Sequence, residues 1–305
     1  CREGTEEPGI MSLRRLRWMA AAWAAAGCAA ATASAQVTVR LRTEYRRYLL
    51  FEPIVIRVRV ENGTREALVF TGDAPNAEMV FDVERSPGEF VRSNGAPVLT
   101  APFEVPGFGH GVVAVELLRL FDLPESGPLA VAVRVKTGAE EFVSGKLLLD
   151  LVPGLELARM DVRMPGDPAE RRSFQLRSIG RDNAEHLLLR VDDAGRRLCV
   201  GVFDLGKLIR QRPPQMMMGG DGVFHVLHQS APVRLTQSIY RDDQRRLEMV
   251  FHGVVGLDAR LTRDDAGDVR VVGVGPYLGD PIVAPMRAEQ QRPPDRLPDR
   301  TAPRR

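Results

Sequence analysis

The sequence predicts an all-β protein, and three observations lead to this fold class. Residues 54–61 alternate apolar and charged side chains, which is the period of a strand with one buried and one exposed face. The same alternation recurs at 37–43 and 129–136, and no helical period separates these runs. Clusters of glycine, proline, asparagine and aspartate punctuate the chain at short intervals, as in antiparallel sheets joined by turns.

The first 35 residues have the pattern of a secretory leader that follows a short upstream extension, residues 1–10. Met11 opens a basic segment with Arg14 and Arg17, and an alanine-rich apolar run follows. Ala33-Ser34-Ala35 then matches a signal-peptidase site. We therefore expect cleavage after Ala35. The apolar run is shorter than the roughly 20 residues that span a bilayer, so no transmembrane span is expected once the leader is removed.

A second interpretation of the leader is lipidation. Ala25-Ala26-Gly27-Cys28 resembles a bacterial lipoprotein box with Cys28 as the modified residue. Cleavage after Ala35 predicts a periplasmic or secreted protein, whereas modification of Cys28 predicts a protein that is lipid-anchored to the envelope.

Charge and cysteine content exclude some classes of protein. Of 42 basic and 40 acidic residues, four and three lie in the leader, which leaves 38 against 37. A near-neutral chain has no global field that favours nucleic acid as a partner. Cys199 is the one cysteine that remains after leader removal, so the exported chain would have no internal disulfide.

In chain order, residues 36–152 are predicted to form seven strands. We place strands at 37–43, 54–60, 79–84, 112–120, 129–136 and 141–152, and Asn62-Gly63 is predicted to turn the second strand into a return strand at 67–70. About seven strands in about 115 residues, separated by turns, is typical of a β-sandwich.

This half resembles the immunoglobulin-like and fibronectin-like sandwich domains of exported bacterial proteins. The matching residues are Glu52-Pro53 before 54–60, Glu61-Asn62-Gly63 after it, and Pro124-Glu125-Ser126-Gly127 before 129–135. The resemblance covers about 36–152 and implies a sandwich architecture. Leu129 stands where such domains often have tyrosine, and the cysteine pair of true immunoglobulin domains is missing.

A proline- and glycine-rich linker at 153–168 is predicted to lead into a second antiparallel β-rich domain at 169–280. The apolar run 186–191 predicts a strand covered on both faces. Asp192-Asp193, Asp242-Asp243 and Asp264-Asp265 are predicted to form hairpin turns. They do not fit a calcium-binding EF-hand loop, because alternating oxygen ligands and a closing glutamate are missing. Residues 281–305 are rich in proline and arginine and are predicted to be disordered.

The sequence contains one candidate metal site. His225 and His228 flank Val226-Leu227, and a run of methionines precedes them in a predicted loop at 212–222. Imidazole, thioether and thiolate groups together suit copper, but a separation of three places the two histidines on opposite faces of a strand. The residues involved are His225, His228, Met216, Met217, Met218 and, more remotely, Cys199.

Motifs of common catalytic classes are missing. The sequence contains no Gly-x-Ser-x-Gly, no His-Glu-x-x-His and no phosphate-binding loop, so no catalytic residue and no cofactor is predicted. Cys199 lies in an apolar strand, where a thiol is usually inert.

We therefore expect a non-catalytic binding or structural module that recognises an unknown protein or glycan of the cell envelope, with contacts made by the loops 71–77, 86–111 and 212–222. The alternative is an exported hydrolase or copper-binding protein with its site near residues 216–228.

Overall fold

The computed structural model describes residues 37–277 with the exception of 73, 139, 165–169 and 257. The predicted leader, with Cys28 and Ala35, and the predicted disordered tail lie outside the described residues. The described chain consists of strands and one helical turn, which confirms the all-β class. No helix in this part of the chain is long and apolar enough to cross a membrane.

The N-terminal half comprises eleven strands and one helical turn. They are β1 (Val37–Arg42), β2 (Arg47–Leu49), β3 (Val55–Asn62), β4 (Leu68–Val69), β5 (Ala77–Ser86), β6 (Glu89–Phe90), β7 (Glu104–Val105), β8 (His110–Glu116), α1 (Leu117–Leu120), β9 (Gly127–Thr137), β10 (Glu140–Val143) and β11 (Leu147–Val152). The second half contributes β12 (Leu155–Arg163), β13 (Arg171–Arg181), β14 (Ala184–Asp193), β15 (Leu198–Lys207), β16 (Gln215–Met218), β17 (Phe224–Ala231), β18 (Arg234–Arg241), β19 (Arg246–Val254), β20 (Arg260–Arg263), β21 (Val269–Val272) and β22 (Val274–Gly275).

Two sheets enclose the core of the N-terminal half. One has the order β1-β3-β8, and the other has the order β2-β11-β9-β5-β6 with β10 paired to β9. Ile56, Val58 and Val60 of β3 are fully buried, while Arg57 and Arg59 between them are exposed, as the alternation predicts. Buried side chains of both sheets form one cluster. This layered arrangement, antiparallel except for the parallel pair β2–β11, is compatible with a β-sandwich.

Three details of the predicted N-terminal half are wrong. The segment 67–70 does not return along β3, because β4 pairs with β7. The side chain of Asn62 is buried after β3 and donates a hydrogen bond to the Glu66 carbonyl (2.8 Å) while it accepts one from the Thr64 amide (2.9 Å). It therefore fixes a loop in place of a tight hairpin. The predicted strand 112–120 ends at Glu116, where α1 begins, and 141–152 divides into β10 and β11.

The second half is built from two meanders. One sheet has the order β12-β13-β14-β15 and the other β16-β17-β18-β19-β22, so consecutive strands are neighbours except where β22 joins β19. The faces that meet bury a cluster centred on Phe174 and Phe224, whose rings stack with centroids 4.1 Å apart. The hairpin β20–β21 covers part of the other face of the second sheet.

A buried guanidinium connects the two meanders at one end. Arg172 of β13 lies 3.2 Å from Asp193 of β14 and donates to Asp242, which follows β18, at 3.1 Å. Tyr240 also donates to Asp242, at 3.1 Å. The paired aspartates do lie at hairpin ends, as predicted. Asp193 and Asp242 have a second role, because they neutralise the charge of Arg172 between the two sheets.

The segment predicted as a linker contains an additional strand. Residues 155–163 form β12, which pairs with β13 along most of its length. The division of the chain into two domains at this position remains a prediction. The strand itself has direct consequences for the candidate site described below.

The two halves are joined by an apolar contact and by a buried set of charges, which we name the junction cluster: Glu52, Arg181, Asp204, His186 and Tyr45. The apolar contact is formed by Leu49, Ile179, Leu188 and Val202.

Arg181 is the centre of the junction cluster. It donates to Glu52 at 2.8 Å and to Asp204 at 2.6 Å, and its guanidinium lies 3.9 Å from the centre of the Tyr45 ring. His186 lies 3.2 Å from Asp204. Burial raises the pKa of Glu52 to about 7, although Arg181 and the Leu49 amide favour its charged form. Burial also acts on Asp204, but hydrogen bonding by His186 and the charge of Arg181 leave its pKa below the usual value.

Candidate functional site

A polar groove with a volume of about 660 Å³ crosses the outer face of the sheet β12–β15. We name it the arginine groove, because six arginines and three aspartates line it. The arginines are Arg159, Arg163, Arg171, Arg177, Arg190 and Arg197, and the aspartates are Asp161, Asp192 and Asp193. The groove therefore has an excess of three positive charges in a chain that is otherwise nearly neutral.

Strand alternation places these side chains on one face. Along β13, the residues Arg171, Ser173, Gln175 and Arg177 line the groove, while Phe174 between them is buried in the core between the meanders. The antiparallel register then sets β12 and β14 beside them. The rigid sheet, and not a loop, therefore determines the spacing of the charges.

At one end of the groove the arginines are held by neighbouring polar groups. Arg190 donates to both carboxylate oxygens of Asp192, at 2.8 and 3.0 Å. Gln175 donates to the same carboxylate at 2.8 Å and accepts from Arg177 at 2.9 Å. Arg177 also donates to Glu156 at 2.8 Å. This network fixes the orientation of two guanidinium groups without neutralising the groove.

Burial and crowding act on Arg177 in the same direction. Burial lowers the pKa of Arg177, Glu156 opposes that effect, and the positive charges of Arg190 and Arg159 lower it further. An arginine remains protonated under all ordinary conditions. The neighbouring charges of Arg190 and Arg159 therefore add to the larger effect of burial.

At the other end of the groove lie three arginines without an acidic partner among the described residues. Arg163, Arg171 and Arg197 form no ion pair with any described residue. Arg163 stands directly opposite Arg171 in the register of β12 and β13, and both are exposed. Like charges in direct cross-strand positions destabilise a sheet. An anion bound between them would remove this repulsion.

Ser173 adds a hydrogen-bonding group on the floor of the groove. It is only 6% exposed, and its hydroxyl has no partner among the described residues. A buried polar group without a partner costs about 1–3 kcal/mol. Ser173 lies on β13 between Arg171 and Gln175 and lines the cavity, so its hydroxyl could donate to an oxygen of a ligand that enters the groove.

The groove is bordered by the apolar contact between the two halves. The guanidinium of Arg190 lies 5.0 Å from the centre of the Phe51 ring. Cys199 lies opposite Asp192 on β15 and packs against the same apolar contact. Burial raises the pKa of its thiol to about 12, so the thiol is protonated and unreactive at neutral pH, as the sequence predicts.

A second cavity of about 1240 Å³ lies beside the junction cluster. Its charges are largely paired: Arg47 donates to Asp150 at 3.0 Å, and Arg210 pairs with Glu185. Five arginines and four acids line it. It therefore lacks the excess of free positive charge that distinguishes the arginine groove.

The predicted copper ligands do not converge. Met216, Met217 and Met218 lie in strand β16 and not in a loop, which corrects the prediction for 212–222. Met216 and Met218 pack into the core between the meanders, whereas Met217 faces the opposite side. Residues 225 and 228 occupy opposite faces of β17, as expected. The described residues contain no group of three histidine, cysteine or acidic side chains that could hold a metal.

His225 takes part in a hydrogen-bonded chain that the sequence did not suggest. Its Nδ1 lies 3.2 Å from Nε2 of Gln237, and Oε1 of Gln237 lies 3.0 Å from Nε2 of His252. Burial lowers the pKa of both histidines. The side-chain amide of Gln237 bridges the two histidine rings across neighbouring strands. These hydrogen bonds account for the position of both histidines within the sheet.

His228 is buried in the interior, and both of its ring nitrogens lack a hydrogen-bond partner among the described residues. Burial lowers its pKa to about 4, against smaller opposing effects of the Lys207 backbone and Asp204. The unfolded state therefore binds a proton near pH 6.5, while the folded state resists protonation until about pH 4. The stability that His228 contributes is present above pH 6.5 and is lost as the pH falls towards 4.

Replacing His228 with leucine is expected to remove this acid sensitivity. Relative to the wild type, the variant should gain about 2–3 kcal/mol between pH 7 and pH 4.5, since each unit of pKa shift corresponds to about 1.4 kcal/mol. Urea denaturation at both pH values measures the difference. Glu52 has the opposite pH dependence, but it is common to both proteins and cancels. A constant difference between the two proteins at all pH values would contradict this prediction.

The arginine groove could hardly be predicted from the sequence. Its residues are spread over 159–197, and no motif connects them. Cross-strand register brings them together, and β12 was predicted to be a linker.

Comparison with known proteins adds no family: neither a protein-family model nor a curated protein matches the chain.

Proposed function

We propose that the chain is an exported, non-catalytic binding module of the cell envelope that holds an anionic ligand in the arginine groove. The observation behind this proposal is a set of three arginines beside the buried hydroxyl of Ser173, all without a partner among the described residues. The groove offers fixed positive charge and hydrogen-bond donors, which are the groups that bind carboxylate, sulfate or phosphate oxygens. Cys199 does not line the groove, and burial raises the pKa of its thiol to about 12.

The leader pattern and the sandwich-like N-terminal half support the proposed export to the cell envelope. Met11 and Ala35 bound a secretory signal, so we propose a periplasmic or secreted protein, or a lipid-anchored one if Cys28 is modified instead. We also propose that the N-terminal half belongs to the immunoglobulin-like or fibronectin-like type. In this arrangement the N-terminal half supports the second half, which contains the arginine groove, because the junction cluster joins the two halves.

The proposal predicts that the protein binds polyanions through the unpaired end of the groove. Replacing both Arg163 and Arg171 with alanine should weaken binding of polyglutamate or dextran sulfate at least about tenfold. A hydrogen bond to a charged group contributes about 1.5–3 kcal/mol, and 1.4 kcal/mol corresponds to a tenfold change in affinity. Isothermal titration calorimetry at low and high salt measures the effect, and added salt should weaken wild-type binding.

The matched control is a second pair of exposed arginines that face each other across strands. Arg42 of β1 lies opposite Arg57 of β3, on the N-terminal half. Replacing both with alanine removes the same charge outside the arginine groove, where Arg42 lines the second cavity with its largely paired charges, and binding should change less than twofold. Equal losses in the two double variants would mean that binding follows net charge alone and would overturn the proposed site.

A further inference from the structure

Strand β12 forms one edge of its sheet, beside the arginine groove. It pairs with β13 on one side, and no described strand pairs with its other side. Its register is regular from Ala158 to Arg163. The opposite edge of the same sheet, β15, is interrupted by two register shifts. Irregularities of that kind protect an edge from pairing with other chains, and β12 lacks them over these six residues.

The groove face of β12 has charges of alternating sign. Arg159, Asp161 and Arg163 lie at alternate positions and are all exposed, while Met160 and Val162 between them pack against the core. Asp161 and Arg163 form no ion pair with a described residue. Arg159 pairs with Glu156 at 3.0 Å, but it remains about half exposed. The strand therefore presents a basic–acidic–basic row next to its free backbone edge.

We propose that β12 receives an extended peptide segment of a partner protein, with alternate residues acidic, basic and acidic. This inference deepens the proposed function and rests on it. An added strand would lie about 4.8 Å from β12 and would bond to its free N–H and C=O groups. Its side chains on the groove face would stand directly opposite Arg159, Asp161 and Arg163. Opposite charges in such cross-strand positions stabilise a pair of strands.

The charge pattern favours a peptide over a uniform polyanion at this edge. Asp161 lies between two arginines, so a ligand with a negative charge at every position would meet repulsion at the centre. A peptide can place a basic residue there, and its backbone repeats at the spacing of the strand. An anionic glycan has neither property, although it could occupy the unpaired end of the groove near Ser173.

The test compares two fluorescent peptides that share one framework. One has the core Glu-Val-Arg-Val-Glu and the other Glu-Val-Glu-Val-Glu, and both patterns are the same in parallel and antiparallel orientation. We expect the wild type to bind the first at least about tenfold more tightly in fluorescence anisotropy, despite its lower negative charge. Alternate backbone N–H groups of an added strand point to opposite edges, and only one edge faces β12. Methylation of the nitrogens on that edge should abolish binding, whereas methylation of the other set should not.

Asp161→Lys provides a variant with a distinctive signature. Asp161 is exposed, so the fold should be retained, which circular dichroism checks. The variant should reverse the order and prefer Glu-Val-Glu-Val-Glu, an outcome that a purely structural role of Asp161 does not produce. A wild type that prefers the uniformly acidic peptide, or that binds dextran sulfate but neither peptide, would overturn this inference and leave the proposed function standing. Failure to bind any of these anions would overturn both.

Discussion

Replacing Arg181 with methionine should reduce the free energy of unfolding by about 3–5 kcal/mol, which is among the largest single effects expected in this protein. The Arg181 side chain is 1% exposed and bonds to Glu52 and Asp204, which are contributed by different halves of the chain. Methionine preserves much of the packing but leaves the Glu52 carboxylate buried without its partner. Removal of one member of a buried ion pair typically costs this amount.

Urea denaturation of three further variants, one of which is Glu52→Gln alone, identifies the source of the loss. Adding Glu52→Gln to the methionine variant should restore part of the stability, because the amide has no charge to desolvate. Arg47→Met removes the exposed pair with Asp150, in which the arginine is 50% exposed, and it should cost less than about 1 kcal/mol. A double variant that is less stable than the sum of its single changes would contradict the role given to the pair.

Replacing Phe174 with alanine should cost about 3–5 kcal/mol for a different reason. Phe174 is fully buried, and its ring stacks on Phe224 at 4.1 Å and meets the edge of Tyr240 at 6.1 Å. The change would leave a cavity between two rigid sheets that cannot close around it. Losses of this size are typical of phenylalanine truncation in a core, and aromatic pairs add about 0.5–1.5 kcal/mol.

Phe90→Ala is the matched control for the core variant. Phe90 is 60% exposed on the short strand β6, so the same chemical change should alter stability by about 0.5 kcal/mol or less. Thermal and urea denaturation of both variants measure the contrast. Similar losses at the two positions would mean that the stacked rings do not anchor the contact between the meanders.

Elements with an uninterrupted period could be predicted from the sequence. The alternation in β1 and β3 and the apolar run in β14 each correspond to a strand with the expected buried face. Strand β12 was missed because its period breaks. The register with β13 shifts between Glu156 and Ala158, so the polar and apolar residues change phase within the strand. A bulge of this kind hides a strand from any argument based on alternation.

Pairing between segments that are distant in the sequence was the second feature that could not be predicted. Residues 67–70 are extended, as predicted, but their partner is β7, 37 residues further along the chain by the pairing of Leu68 with Val105. The local pattern of apolar and polar residues does not indicate which strand pairs with 67–70. The arginine groove has the same origin, since Arg163 and Arg171 become neighbours only through the register of a hairpin. Arginine is frequent in this sequence, so no single member signalled a site.

The junction cluster also limits how the protein can be dissected. Glu52 belongs to the N-terminal half, yet its carboxylate is neutralised by Arg181 of the second half. Leu49 is likewise covered by Ile179 and Leu188. Expression of either half alone would expose this apolar area and leave Glu52 or Arg181 without its charged partner. Fragments cut near Pro153 should therefore be poorly soluble. Ligand studies on the second half therefore need the N-terminal half attached as its solubility partner.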